Sequence, residues 1–418
     1  MNCPVCDESR FVRLIAVPGG VVMRCQGCGC AALDASPTQP DSESPADASS
    51  RVPPRYLHAL KSRGFRGGSL LDLSTASASP APADYDAAIL LHQLQRLIAP
   101  GELLRTAHAA LRPGAPLLLT VPCKTEWTGD RWLFDKTTIQ WLLLRHGFHE
   151  ILVRKLGASG MLVTAVRAEL QKRPKCSIIV AAFNENRTFP VLMDTLLKKE
   201  LSGVDREIIV IESNSTDGTR ELAMKYLGHP EIKLVLQDRP RGKGHAIREG
   251  FRQATGDILL IQDADLEYDL DDYDALLAPI LSHRALFVLG TRHGGHWKIR
   301  EFAKQKVLSA GLNLGHAFFT GLINVLFRQN MTDPFTMFKV FHRDCLFGLE
   351  FHCNRFDFDH ELVIKLVQKG YRPLEIAVNY RSRSFREGKK VRLFRDPLTW
   401  IWVDLKLRFT RVLPKDLW

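Results

Sequence analysis

Long apolar runs are missing from these 418 residues. No stretch of about 18 uninterrupted apolar residues occurs, so no membrane span is expected. The nearest candidate, Ala310 to Phe327, is broken by Asn313, His316 and Asn324. An apolar leader is missing too. Met1 runs straight into a cysteine motif, so no export signal is expected. The nine cysteines then point to a reducing compartment, where metal binding is favoured over disulfides. Acidic excess is also lacking. The net charge of +11 favours an anionic partner: a nucleotide, a phospholipid surface or a nucleic acid. The apolar and charged fractions, 45% and 25%, are those of a globular chain long enough for two or three domains.

Cys3-Pro-Val-Cys6 and Cys25-Gln-Gly-Cys28 form two C-x2-C knuckles. Four thiolates so spaced can close a tetrahedral zinc site, with Cys30 as a competitor for the fourth position. Phe11 to Val17 and Gly20 to Arg24 read as a hairpin around Pro18-Gly19. The whole, residues 1–34, resembles a zinc ribbon with a structural Zn2+, free buried thiols being the alternative. Ala35 to Pro54 reads as a Ser/Pro-rich linker.

Residues 55–168 form the next unit. Its pieces LLDL, YDAAILLHQL, LRPGAPLLLTVP and WLLLRHGF resemble the later half of a class I methyltransferase. Glycine is absent between Ser69 and Pro100, yet a Rossmann-like cofactor site needs glycines after its first strand. Ser74 to Ala83 is too short for the usual helix and second strand. The expectation is a truncated, degenerate methyltransferase-type domain that no longer binds its cofactor and serves in docking or scaffolding.

After the charged, proline-marked boundary at Ala168 to Lys175, β and α patterns alternate. Strands are expected at Cys176–Phe183, Glu207–Ile211, Glu231–Leu236 and Asp257–Ile261. Such alternation predicts a parallel, doubly covered sheet, with ligands at the carboxyl ends of its strands. Four polar clusters fall on that edge: Asn184-Glu185, Glu212 to Asp217, Arg241 to Gly244, and Asp263-Ala264-Asp265 with Glu267. In an extended chain Asp263, Asp265 and Glu267 share one side. Their mutual repulsion would be relieved by Mg2+ or Mn2+ holding substrate phosphates. A solvated acidic loop is the alternative.

The segments IIVAAFNEN, IVIESNSTDGTRE, RGKGHAIREG and GDILLIQDADLEYD resemble family 2 glycosyltransferases of the GT-A fold, nearest the dolichyl- or polyprenyl-phosphate sugar transferases. The match runs over residues 175–395. Ala181 stands where that family usually has proline, and Glu212-Ser213 where paired aspartates are common. The resemblance implies a UDP- or GDP-hexose donor. Asp263 and Asp265 would hold metal and phosphates, Glu267 a further ligand position, and Glu185 and Glu212 would contact base and ribose. Lys243, in a glycine-flanked turn opening a helix, can approach anionic oxygens.

The same resemblance places Arg292 and Arg383, and less directly Arg300, on the phosphate of a lipid acceptor, which suits a planar guanidinium fork. A phosphate acceptor is already an anion and requires no general base; a hydroxyl would require one. Glu361, with Asp357 and Asp359 nearby, is then the candidate base, and Asp333 shapes the donor pocket. Residues 396–418 suggest an amphipathic helix, with Leu398, Ile401, Trp402, Leu405, Phe409 and Val412 on one stripe. Such a stripe serves a membrane surface or packs on the catalytic domain. The expectation is an inverting, metal-dependent transferase, cytoplasmic and peripheral to the inner face of the membrane, in cell-envelope glycan biosynthesis. No nucleic-acid partner is expected. A soluble enzyme glycosylating a hydroxyl, and a zinc-binding scaffold with a vestigial catalytic domain, are the rivals.

Overall fold

The structure is a computed structural model. It describes residues 2–5, 9–17, 20–26, 28, 30–34, 52–74, 80, 82–97, 99–122, 132–157, 160–168, 173–293, 299, 306–382, 395–410 and 412. The chain divides into two compact units, 1–171 with 415–418, and 172–414. Cys6, Arg300, Arg383 and the linker residues 35–51 lie outside the described residues.

The first unit contains two sheets. Strands β1 (Phe11–Val17), β2 (Gly20–Cys25) and β3 (Ala31–Asp34) form an antiparallel meander. Helix α1 (Pro54–Lys61) begins at the residue where the linker was expected to end. Its proline sits in the first turn, where no amide is needed. Then come β4 (Leu70–Asp72), β5 (Ala87–Leu91), α2 (Pro100–Ala110), β6 (Pro116–Pro122), β7 (Trp132–Leu133), α3 (Lys136–Arg145), β8 (Phe148–Leu156) and β9 (Gly160–Arg167). The order β4-β5-β6-β9-β8 combines three parallel strands with an antiparallel hairpin.

The ribbon is not free-standing. Short β7 leaves the five-stranded sheet's part of the chain and pairs with β3, Ala31 opposite Leu133 and Ala32 opposite Trp132. Trp132 is fully buried and its indole donates to the Leu97 carbonyl at 3.0 Å. The expected border between residues 1–34 and 55–168 therefore runs through a continuous structure.

The second unit holds β10 (Lys175–Ala182), α4 (Phe189–Lys198), β11 (Asp205–Glu212), α5 (Thr219–Met224), β12 (Ile232–Leu236), α6 (Lys243–Gln253), β13 (Ile258–Asp263), α7 (Tyr273–Leu281), β14 (Phe287–Thr291), α8 (Lys306–Phe327), β15 (Lys339–His342), α9 (Asp357–Lys369), β16 (Leu374–Ala377) and α10 (Arg395–Phe409). The sheet order is β12-β11-β10-β13-β15-β14-β16. Strands β12 to β13 are parallel, as the alternation predicts. β15 runs antiparallel to both neighbours, so the sheet is mixed rather than wholly parallel. Ile178–Val180, Ile208–Ile211 and Ile258–Ile261 are buried as continuous runs, as expected of strands covered on both faces.

The chain starts at β10, moves out through β11 and β12, then returns to β13 on the other side. That reversal makes a crevice beyond the carboxyl ends of β10, β11 and β13. Register aligns the three ends, Ala182 with Glu212 and Ala181 with Asp263.

Candidate active site

β13 delivers Asp263 as its last residue. Residues 264–267 then bend, so the extended alternation stops there. The cause is local: Asp265 Oδ1 accepts the Glu267 amide at 3.2 Å, an Asp-closed turn. The three acids are consequently drawn to different partners. Asp263 Oδ2 meets Lys243 Nζ at 2.9 Å. Glu267 Oε2 accepts the Tyr380 hydroxyl at 2.8 Å, beside a cavity of about 500 Å³ lined also by Leu192, Thr195 and Arg381. Among the described residues, the set of three ligand-type side chains within 4.8 Å of one another is Cys3, Cys25 and Cys28, not the acids.

Lys243 is the charge centre of this edge. Burial opposes its charge, but Asp263, Asp359 and Asp265 outweigh burial and hold its pKa above the usual lysine value. Behind it, buried Lys339 pairs with Asp359 at 2.8 Å. Burial would raise the Asp359 pKa, yet Lys339 and Lys243 lower it. The group thus contains three carboxylates and two ammoniums. The remaining negative charge and the hard oxygens of Asp263 and Asp265 fit one Mg2+ or Mn2+ accompanied by phosphate oxygens.

The glycines flanking Lys243 have a different reason from the one the sequence suggests. Gly242 adopts a φ of +97°, and a Cβ there would strike the Asn354 carbonyl. A Cβ on Gly244 would come within 2.8 Å of the Cys353 carbonyl and would collide with the Phe358 side chain. They allow a protein segment, residues 353–358, to pack against the start of α6.

Glu212 is fully buried and accepts from the amides of Ser215 (2.7 Å) and Asn214 (3.2 Å) and from Arg220 (2.8 Å). It holds the loop that follows β11. Glu185 Oε2 accepts from Thr188 Oγ1, which also donates to the Ala264 carbonyl, each at 2.9 Å. Asn184 and Ser215, and Asn186 and Asp217, tie the loops after β10 and β11 together. The two loops and the acidic bend are therefore one hydrogen-bonded rim.

Arg292 does form a planar fork, but on Asp333: Nε to Oδ2 and Nη2 to Oδ1, both at 2.7 Å. The Arg292 amide (3.0 Å) and His316 Nε2 (2.9 Å) complete the carboxylate. Burial would raise the Asp333 pKa, but Arg292 and His316 hold it well below the carboxylate range. The guanidinium also stacks 5.2 Å from the Tyr380 ring centre.

Glu361 is not placed as a base. Its two oxygens accept the His352 amide (3.0 Å to each), the Cys353 amide (2.8 Å) and the Lys365 ammonium. Three donors, one of them shared between both oxygens, thus take up most of the acceptor capacity of the carboxylate. Burial favours its protonation, but Lys365 and the two amides lower the pKa instead. Asp357 Oδ1 caps the Arg355 amide at 2.9 Å.

Lys339, His316 and Tyr380 escaped the sequence reading. Two signals were there: a lysine inside the apolar run FTMFKVF, and a histidine breaking the apolar stretch of α8.

In the first unit, Cys3 and Cys28 Sγ lie 3.5 Å apart. Tetrahedral zinc with thiolates at about 2.3 Å sets its sulfurs about 3.8 Å apart, so the three sulfurs fit that ion. The Cys30 thiol reaches instead to the carbonyls of Ala31 (3.8 Å) and Leu133 (3.9 Å).

Fold and rim together define an α/β domain with a polar, hydrogen-bonded rim beyond the carboxyl ends of a switched sheet. A family profile described as Glycosyl transferase family 2 matches residues 177–347. That match lies within the second unit, residues 172–414. A dolichyl-phosphate beta-glucosyltransferase of Trichomonas vaginalis is 30% identical over 220 residues, covering 49% of this chain and 64% of that protein. A dolichol-phosphate mannosyltransferase of Pyrococcus furiosus is 24% identical over 216 residues, covering 51% and 59%. The chain thus spans less than two thirds of either relative. Among solved structures, a glucosyl-3-phosphoglycerate synthase of Mycobacterium tuberculosis in complex with UDP overlaps 57% of this chain and 80% of that one, at 19% identity and a TM-score of 0.40.

Proposed function

We propose that the second unit is a divalent-metal-dependent glycosyltransferase that moves a hexose from UDP or GDP onto a polyprenyl phosphate with inversion. The observation that carries this reading is the pairing of Asp263 and Asp265, at the end of β13, with the charge of Lys243. Asp263 and Asp265 would hold Mg2+ or Mn2+, which neutralises the diphosphate as it leaves. Lys243 would take the same phosphates from the α6 side. The rim of Glu185, Glu212 and Asn184 to Asp217 would enclose the nucleoside. An acceptor phosphate oxygen attacks the anomeric carbon. The bond from that carbon to the diphosphate breaks, and the electron pair leaves with the nucleoside diphosphate.

The commitment of Glu361 to two backbone amides and the Lys365 ammonium favours a phosphate acceptor over a hydroxyl, because a carboxylate so engaged is a poor acceptor for a hydroxyl proton. Arg292 would present its remaining guanidinium edge to that phosphate, together with Arg383.

The outer surface of α8 and α10 supports a lipid acceptor. α10 packs against α8 and α9 through Trp400, Val403, Asp404 and Leu407. Its opposite stripe, Leu398, Trp402, Leu405 and Phe409, is exposed by 44% to 85%, as are Leu314, Phe318 and Val325 of α8 by 58% to 79%. Lys406 lies 4.7 Å over the Trp402 ring. Exposed aromatics beside basic residues suit the headgroup layer. We propose peripheral attachment there, on the cytoplasmic side.

In the first unit we propose a structural Zn2+ on Cys3, Cys25, Cys28 and, from the spacing, Cys6, in a degenerate methyltransferase-type scaffold.

The decisive assay incubates labelled UDP- and GDP-hexoses with polyprenyl phosphate and Mn2+. Product is expected from the wild-type chain and not from Asp265→Ala. Equal product without lipid phosphate, or from the variant, overturns the reading.

A further inference from the structure

Building on that transferase reading, we propose that Glu361 is a positioning residue that acts on the donor site through Lys243. The route is continuous. Glu361, on α9, fixes the amides of His352 and Cys353 and is itself anchored by Lys365. The same short segment then turns its carbonyls the other way. The Asn354 carbonyl accepts the His245 amide at 3.2 Å. The Cys353 and Asn354 carbonyls stand where side chains on Gly244 and Gly242 would otherwise be. Arg248, one turn along α6, closes the clasp on the Phe351 carbonyl and the Asn354 side chain.

The first turn of α6 is therefore seated on a loop whose conformation Glu361 sets. Lys243 is the residue that this seat aims at Asp263, 2.9 Å away. Glu361 touches no phosphate itself. It fixes where the ammonium stands, as an outer group orients an inner one at a metal centre. This gives the FDFDHEL segment a role that neither general-base chemistry nor simple core packing describes. A buried glutamate already committed to two backbone amides and an ammonium is poorly placed to move protons, but it can hold those two amides in one place.

The test measures binding of UDP, and separately GDP, with Mn2+ to the full chain by calorimetry. Glu361→Gln and Gly244→Ala disturb the seat from opposite sides, and each is expected to weaken the nucleotide that binds by about tenfold, the scale of one charge-assisted contact. Leu196→Ala, a buried change on α4 away from this route, lowers stability and leaves affinity as in the wild type. In a Lys243→Ala background, Glu361→Gln is expected to cost less than about twofold more, because coupled residues are not additive. A full tenfold loss in that background overturns the proposal, as does wild-type affinity in either single variant.

If Glu361→Gln does not fold, Gly244→Ala with and without Lys243→Ala decides. Should neither nucleotide bind the wild-type chain, the transferase reading fails while the relay is still judged by hydrogen exchange. The His245 amide must then exchange faster in Glu361→Gln, and unchanged protection sinks the relay.

Discussion

Replacing Asp333 by asparagine removes one charge from a deeply enclosed ion pair of the second unit. Asp333 is fully buried, and Arg292 is nearly so. The carboxylate satisfies the Arg292 amide, two guanidinium nitrogens and His316 Nε2. Asparagine keeps the shape but offers one acceptor oxygen. If that oxygen replaces Oδ2, the new NH2 faces Arg292 Nη2 and His316, donor against donor. The guanidinium is left buried without its counter-charge, for which a loss of about 3–5 kcal/mol is typical.

The same pair has a pH signature. The folded pKa of Asp333 lies well below its ordinary value. Its stabilisation is therefore complete above about pH 4, the unfolded value, and is lost as pH falls towards the folded one. Urea unfolding followed by circular dichroism at pH 7 reads the first effect, scored on the transition of the 172–414 unit because the two units can melt separately. Acid titration of wild type and Asp333→Asn reads the second, and the variant's acid limb should be shallower. A variant within about 1 kcal/mol of wild type, with an unchanged acid limb, would refute the argument that this ion pair is what holds Arg292 in place.

Glu207 offers a second acid-dependent contact. Burial opposes its charge, yet Ser177, the Thr255 amide and Lys175 bring its pKa down to about 2. Glu207→Gln should cost about 1–3 kcal/mol at pH 7 after solvent screening, fading as pH falls from about 4.5 towards 2; equal acid curves would contradict it. Metal analysis of the purified chain should find one zinc, and Cys28→Ser or a strong chelator should lower the melting temperature of the first unit alone. A metal-free chain of unchanged stability would remove the zinc site. Trp402→Glu with Phe409→Glu should reduce sedimentation with phosphatidylglycerol vesicles about tenfold or more, given what burying such side chains contributes. Binding equal to wild type would show that α10 does not meet the bilayer.

Local pattern and long-range arrival explain what the sequence could and could not reveal. The strands β10, β11 and β13 were readable because short, β-branched apolar runs alternating with helical patterns favour strands covered on both faces. Their carboxyl ends, with Glu212 and Asp263, followed from that. The antiparallel course of β15 was not readable, since four residues, Lys339–His342, carry no direction. Nor was the β3–β7 ladder, which rests on two residue pairs from segments about a hundred positions apart.

α10 shows the ambiguity in its sharpest form. The stripe Leu398, Trp402, Leu405 and Phe409 has helical spacing, and so do Trp400, Val403 and Leu407. Only the arrival of α8 and α9 decides that the second is covered and the first exposed. Glu361 carries the same lesson into chemistry. Its motif position marks it as important, and a carboxylate near a substrate invites the role of base. Whether its lone pairs are available depends on the His352 and Cys353 amides folding back onto it, and no residue type or spacing records that they do.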